Sequence, residues 1–288
     1  MTADPHAAAD ARRRTFGTTS YLDAALPGAA TPGRTLVLLH AFPLAAGMWQ
    51  PQLEAVPVGW RFIAPDLRGF GQSQVGDSSL PATIEGYAHD VVALLDHVGV
   101  EKAVIAGLSM GGYVAFALLR LVPERVAGLV LADTRAEADD EAARVSRDRM
   151  TDALSLGGAA AVFERMLPGL IGATTRASRP DVVRRVQELV LAQPVEGIRR
   201  AIQSLKSRPD STPLLAAVPC PTLIIVGDED QIMNVDTVRR MHARIPGAEL
   251  AVIEKAGHLS NLEQPAGFNA ALLAFLNRCL LPATSCRL

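Results

Sequence analysis

Cysteine is scarce in this chain. There are three in 288 residues, Cys220, Cys279 and Cys286, an odd number, widely spaced and without any Cys-x-x-Cys pair. That excludes a disulfide framework, a zinc ribbon and a dithiol redox motif, and it predicts a reducing, cytoplasmic compartment. An excess of one charge is also missing. The formal net charge of -2 leaves no basic field of the kind nucleic-acid binders carry, so no nucleic-acid partner is expected. No apolar run approaches the roughly twenty residues of a membrane helix, so no membrane partner is expected either. Residues 1–14 are Ala-rich, contain Asp4 and Asp10, and end in Arg12-Arg13-Arg14 with no apolar run behind them. They read as a loose tail, neither a secretory signal nor an anchor. Internal repeats are absent, and beyond that tail so is low complexity.

What is present is a 49% hydrophobic composition and a regular alternation of short β-rich runs with amphipathic helical stretches. This pattern predicts an α/β fold with a mostly parallel sheet and helices on both faces. Strands are expected at Leu36–Leu39, Arg61–Ala64, Ala103–Ala106, Gly128–Ala132, Thr222–Val226 and Leu250–Ile253. Helices are expected at Met48–Val56, Ile84–Val98, Tyr113–Arg120, Val235–Ile245 and Pro265–Leu280. The alternation breaks from Thr134 to Asp210, where only helical stretches occur: Glu141–Leu156, Ala159–Leu167, Pro180–Ala192 and Pro194–Ser207. An all-helical insertion in such a chain reads as a cap over the strand ends, where ligands bind. The expected organisation is a tail over 1–14, a core over 15–134 and 212–280, a helical cap over 135–211 and a C-terminal tail over 281–288. The cap holds thirteen Lys or Arg against eleven Asp or Glu, too even a balance to name an acidic substrate, and most of these charges read as a solvated face. Its apolar residues Phe163, Met166, Leu167, Leu170 and Ile171 suit a pocket wall and suit packing against the core equally well.

Ser109 is the residue that most suggests chemistry. It lies in Gly107-Leu108-Ser109-Met110-Gly111, between a predicted strand and a predicted helix. A strand that turns sharply into a helix strains the middle residue and tolerates only very small residues two positions to either side. Gly107 and Gly111 meet that need, and the new helix brings unpaired N-terminal amides close to the hydroxyl. The five-residue pattern is short enough to arise by chance, so the flanking elements carry the inference.

A serine hydroxyl needs a base, and the base needs a third group to hold its tautomer. Of six histidines, His6 falls in the tail, and His89, His97 and His242 fall within helical runs. His40 directly ends a strand and reads as a brace for its loop. His258 lies on a loop leaving the strand Leu250–Ile253, where a catalytic imidazole belongs. For the orienting carboxylate, Asp228, Glu229 and Asp230 all follow the strand Thr222–Val226, and the residues alone do not rank them. Asp133 is a fourth candidate. Asp66, in Asp66-Leu67-Arg68-Gly69-Phe70-Gly71, reads as a turn held by a guanidinium or backbone contact. Negative charge on the reacting carbonyl needs donors, and the amides of Met110 and Phe42 are the expected pair. Phe42, Met110, Phe163, Met166 and Leu259 are the candidate substrate-lining residues.

Taken together, Leu38-Leu39-His40-Ala41-Phe42-Pro43, Ala64 to Ser73, the turn at Ser109, Gly227-Asp228-Glu229-Asp230 and Gly257-His258 resemble the α/β-hydrolase family, in its order and spacing, from Thr35 to Leu280. The resemblance implies an eight-stranded sheet, a helical cap between the strands at Gly128 and Thr222, and a triad in the order serine, acid, histidine. It also selects Asp230, since the family's acid stands three residues beyond the glycine that ends its strand. The oxyanion loop departs from the family's His-Gly-aromatic pattern, because Ala41 replaces the glycine and narrows the backbone angles available.

Within the family, Gly107 to Gly112 and Gly257 to Pro265 look most like the enol-lactonase branch and its esterase relatives. That implies a small ester or lactone substrate and no metal or other cofactor. Perhydrolysis or carbon-carbon hydrolysis on the same triad is the enzymatic alternative, and a small-molecule receptor of the same fold is the alternative of another class. Relatives with an aspartate nucleophile are disfavoured by serine at position 109.

Overall fold

Most of the apolar runs that read as strands are buried end to end, as strands covered on both faces must be, while Leu250–Ile253 is exposed at Val252. The computed structural model describes residues 10–26, 33–76 and 82–279. Eight strands form one sheet: β1 (Asp10–Phe16), β2 (Thr19–Ala25), β3 (Arg34–Leu39), β4 (Trp60–Pro65), β5 (Ala103–Leu108), β6 (Val126–Ala132), β7 (Thr222–Gly227) and β8 (Glu249–Ile253). Their spatial order is β1-β2-β4-β3-β5-β6-β7-β8. The pairs β1–β2 and β2–β4 are antiparallel and the others parallel.

Alternation along the strands divides the core in two. Val37, Leu39, Ile105, Leu129, Leu131, Ile224 and Val226 feed one apolar cluster, while Leu36, Leu38, Val104, Ala106, Val130, Leu223 and Ile225 feed the other. Each large aliphatic side chain taken out of water in this way contributes about 2 kcal/mol. Helices α2 (Ile84–His97), α3 (Met110–Leu121) and α8 (Val235–His242) supply residues to the first cluster, and α1 (Gln50–Leu53) and α10 (Pro265–Arg278) to the second. Local signals set the helix starts: Thr83 Oγ1 accepts from Gly86 N–H at 3.0 Å ahead of α2, and Asn234 Oδ1 accepts from Thr237 N–H at 2.9 Å ahead of α8.

Between β6 and β7 lie four helices and no strand: α4 (Glu141–Leu170), α5 (Ala173–Ser178), α6 (Pro180–Leu191) and α7 (Val195–Ser207). α4 is interrupted at Gly158, whose φ of 62° and ψ of -153° are not helical, so the two helices expected there follow one another across a glycine break. The two ends of the insertion meet, since Ser211 N–H donates to Ala136 O at 2.9 Å. A short helix α9 (Ser260–Glu263) precedes α10.

Residues 10–14 are not a loose tail but most of β1, and neither β1 nor β2 is among the strands that the apolar pattern predicts, so Leu36–Leu39 falls in the third strand. The Arg12-Arg13-Arg14 run has no hydrophobic alternation to betray a strand because β1 is an edge strand, where exposed charge discourages further pairing. Arg13 nevertheless ties it inward, reaching Ser20 Oγ at 2.7 Å and Asp66 Oδ2 at 2.5 Å. The helix expected at Met48–Val56 is shorter, a 3₁₀ turn at Ala46–Trp49 followed by α1. Residues 1–9, the tail expected at 281–288, and Cys286 lie outside the described residues. Cys220 and Cys279 are free thiols. Among the described residues no helix is long and apolar enough to cross a membrane, and no group of three or more His, Cys, Asp or Glu stands where it could hold a metal ion.

Candidate active site

The strand order reverses between β3 and β5: from β3 the chain continues to β4 on one side, and β5 lies on the other. In open α/β sheets, ligands bind at the carboxyl ends of the two strands flanking such a switch. Here those ends carry His40-Ala41-Phe42-Pro43 and Ser109. They are direct neighbours, with Leu39 opposite Gly107 in the parallel register.

Ser109 occupies the strained turn that its neighbours predict, with φ 54° and ψ -111°. The two flanking glycines are required sterically. A Cβ on Gly107 would stand 2.2 Å from Gly111 O, and one on Gly111 would stand 2.1 Å from Leu39 O. The second clash shows how tightly the start of α3 is pressed on the end of β3. The turn is pinned from β6 as well, because Ser109 N–H donates to Ala132 O at 2.9 Å and Thr134 Oγ1–H donates to Ser109 O at 2.9 Å.

His258 leaves β8 on the loop Glu254–Gly257 and is buried, 2% exposed. Its Nδ1 lies 2.8 Å from Asp230 Oδ2 and its Nε2 lies 2.8 Å from Ser109 Oγ. Asp230 is fixed by its other oxygen, which accepts the N–H groups of Ile232 at 2.7 Å and Met233 at 2.9 Å. With Oδ2 facing the ring, the favoured tautomer places the proton on Nδ1 and leaves Nε2 free to accept from the serine. Burial alone would lower the His258 pKa. The Asp230 charge and hydrogen bond, helped by Asp133 and Glu263, outweigh it and hold the pKa above its ordinary 6.5.

The other acidic candidates are separated by their partners. Asp228 Oδ1 accepts from Ala256 N–H at 3.3 Å. Glu229 accepts from Thr174 N–H at 2.8 Å and from the Thr174 hydroxyl. Asp133 is fully buried, with a φ of 45°, and accepts from Gly227 N–H at 2.9 Å and Ser260 Oγ–H at 2.5 Å. Its burial, followed by the nearby Asp230 charge, pushes its pKa well above the ordinary carboxylate range. Asp66 is the hub of its turn, accepting from Ala46 N–H at 2.8 Å and Gln72 N–H at 3.0 Å; its guanidinium partner is Arg13, while Arg68 pairs with Asp90. His40 is a neutral brace: Leu67 N–H donates to its Nε2 at 3.0 Å, its Nδ1 faces Ala41 O at 2.9 Å, and burial lowers its pKa to about 4.

Of the expected lining residues, Phe42, Met110, Phe163 and Leu259 are all buried in the two core clusters, and Phe42 meets Phe70 edge to face. Met166 lines an open groove of about 450 Å³ beside the Asp230 loop. Pattern reading missed Glu263. Its carboxylate is buried and accepts three backbone N–H groups, from Gly172 at 2.8 Å, Gly257 at 3.0 Å and Leu259 at 3.2 Å. It thereby ties the start of α5 to the loop on either side of His258, while Glu229 ties the same segment to the Asp230 loop. A lone Glu before Pro265 resembles an ordinary helix-start charge, so no local signal distinguishes it.

Glu263→Ala is expected to leave those three donors buried and unpaired. With about 1–3 kcal/mol for each orphaned group and incomplete additivity, roughly 3 kcal/mol of stability should be lost, a fall in Tm of about 10 °C. Glu263→Gln, which keeps an acceptor oxygen, should recover part of it. Thermal unfolding followed by circular dichroism decides, and an alanine variant melting within about 2 °C of the parent would contradict the clamp.

A family model described as alpha/beta hydrolase fold matches residues 34–265. The chain is similar to a 3-oxoadipate enol-lactonase of Acinetobacter baylyi, 29% identical over 245 residues, 84% of this chain and 88% of the relative. It is similar as well to a Caulobacter protein named for carbamate hydrolysis, 27% identical over 254 residues, 87% of this chain and 93% of that one. Among solved structures, an esterase from Thermogutta terrifontis with malate bound superimposes with a TM-score of 0.85 at 38% identity, over 93% of this chain and 99% of that one. With an eight-stranded sheet of this order and a family match across most of its length, the chain is an enzyme of the α/β-hydrolase fold family.

Proposed function

We propose that the chain is a serine hydrolase that cleaves small carboxylic esters or lactones through an acyl-enzyme. The observation that carries this is the unbroken relay from Asp230 Oδ2 to His258 Nδ1 and from His258 Nε2 to Ser109 Oγ, each step 2.8 Å. Likeness to an esterase and to an enol-lactonase supports the substrate class.

In this reading Ser109 Oγ attacks the carbonyl carbon as His258 Nε2 takes its proton, and Asp230 stabilises the resulting imidazolium. The tetrahedral oxyanion is held by the N–H groups of Met110, at the open N-terminus of α3, and of Phe42, at the end of β3. His258 then protonates the leaving alkoxide, and the carbon-oxygen bond breaks to give the acyl-serine. A water enters, gives its proton to the same nitrogen and attacks the acyl carbon; collapse releases the acid and returns the proton to Ser109. The helices between β6 and β7 act as the cap over this site.

The test is hydrolysis of a p-nitrophenyl ester together with covalent labelling by a fluorophosphonate and mapping of the labelled peptide. Label on Ser109 and loss of turnover in the labelled protein are expected. Turnover that survives labelling, or label on another residue, would overturn the assignment.

A further inference from the structure

The two edges of the sheet are finished differently. At one, β1 carries Arg12, Arg13 and Arg14, charges that guard an open strand. At the other, β8 carries Leu250-Ala251-Val252-Ile253 without a charge among them, and Val252 is 40% exposed. Among the described residues no strand pairs with the outer side of β8, which stands last in the sheet. Asp228 N–H donates to Ile253 O at 3.0 Å, so Ile253 and, by alternation, Ala251 turn their main-chain groups toward β7. Leu250, Val252 and Glu254 therefore turn theirs outward, as a ready template for another strand. An open groove of about 510 Å³ runs along this edge, between Ala251 to Lys255 and the small residues Gly267 and Ala271 of α10.

The helix beside the edge is also unguarded. Between Glu263 and Arg278, α10 has no charged residue, and Ala266, Gly267, Ala270 and Ala274 are exposed. A surface helix ordinarily turns charged or polar side chains to water.

Charge selects what the edge can pair with. Glu249 stands before the apolar run and Lys255 after it, both exposed. A parallel partner would give a contact that does not close, and chains would add without limit. An antiparallel partner, related by a two-fold axis at Val252, sets Val252 opposite Val252, Ala251 opposite Ile253 and Leu250 opposite Glu254. It also sets Glu249 opposite Lys255 at both ends of the pair, a favourable cross-strand contact. Any other register separates both charge pairs. Glu249 also binds Arg278, and a carboxylate has lone pairs for both cations.

We propose that this edge is the contact face for a second copy of the chain, with the two β8 strands antiparallel about Val252 and the two sheets joined into one. The uncharged faces of the α10 helices flank the paired strands and extend the contact toward the roughly 800 Å² per copy that a stable dimer needs. Ser109 plays no part in this contact.

Sedimentation velocity on the full chain provides the test. At about 100 µM the parent should sediment as a dimer, twice 30.5 kDa, with a Kd on the order of 10 µM. Val252→Lys sets two ammonium groups against each other at the two-fold axis. It should raise Kd at least about thirtyfold and leave the circular dichroism spectrum unchanged. Lys255→Glu and Glu249→Lys should each weaken self-association. Mixing those two variants should restore a dimer, because the acidic ends of one then face the basic ends of the other. A parent that stays monomeric at about 100 µM leaves the edge to some other partner and overturns the proposal. So does a dimer that Val252→Lys does not weaken, or a mixture of the two charge variants that stays monomeric. Should Val252→Lys fail to fold, the two charge reversals, both at exposed positions, decide by themselves.

Discussion

Ser109→Ala is expected to lower kcat for a p-nitrophenyl ester by on the order of 10⁴- to 10⁶-fold, the range seen when the nucleophile of such a triad is removed. The expectation follows from geometry. Oγ is the one atom at Ser109 that meets His258 Nε2, whereas the N–H and C=O of the residue are committed to Ala132, Gly112 and Thr134. Alanine keeps the Cβ and those backbone bonds, so the turn and the fold should persist, with Tm changed by less than about 3 °C. Residual turnover should come from the Phe42 and Met110 amides, which do not depend on the side chain. Steady-state rates and unfolding curves measured on the same preparation check both halves. Full activity in the alanine variant would remove Ser109 from the chemistry.

Asp230→Asn should lower kcat by about 10³- to 10⁴-fold while preserving the loop. The amide oxygen can still accept from Ile232 and Met233, so the backbone of the loop stays in place. Its NH₂ then faces His258 Nδ1, the ring adopts the tautomer protonated on Nε2, and Nε2 can no longer accept from Ser109. The pH profile should change with it. An imidazolium cannot take the serine proton, so activity rises with pH through the His258 pKa. In the parent that pKa is held above 6.5 chiefly by Asp230 acting against burial, so the acid limb of kcat/KM should lie above pH 6.5. Without the Asp230 charge, burial prevails and the limb should move to lower pH. A pH series on both proteins tests the sign. If the asparagine variant instead stays within about tenfold of the parent, the acid role lies elsewhere, and Asp133, which would ionise more readily once the Asp230 charge is gone, is the first residue to substitute.

Much of this was legible in the sequence because the constraints are local. Gly107 announces the turn since a Cβ there would stand 2.2 Å from Gly111 O, four residues on, and six of the eight strands declare themselves by apolar runs. β1 did not, because an edge strand of arginines carries no such run. The choice among Asp228, Glu229 and Asp230 could not be read from the residues, because three adjacent carboxylates on one loop differ only in where the loop aims them. The structure sends one to Ala256, one to Thr174 and one to His258. Glu263 was invisible for the same reason: its three partners come from the insertion and from the histidine loop, and an isolated glutamate gives no sign that it will be buried.

The sequence by itself determined the fold class, the strained serine and the loop histidine, since periodicity, glycine spacing and strand-end position depend on neighbours a few residues away. Only the tertiary structure decided which carboxylate meets His258, that Asp133 lies buried near the pair, and that Glu263 joins the insertion to the histidine loop. Those outcomes depend on distances between segments far apart in the chain, about which neighbours along the sequence carry no information.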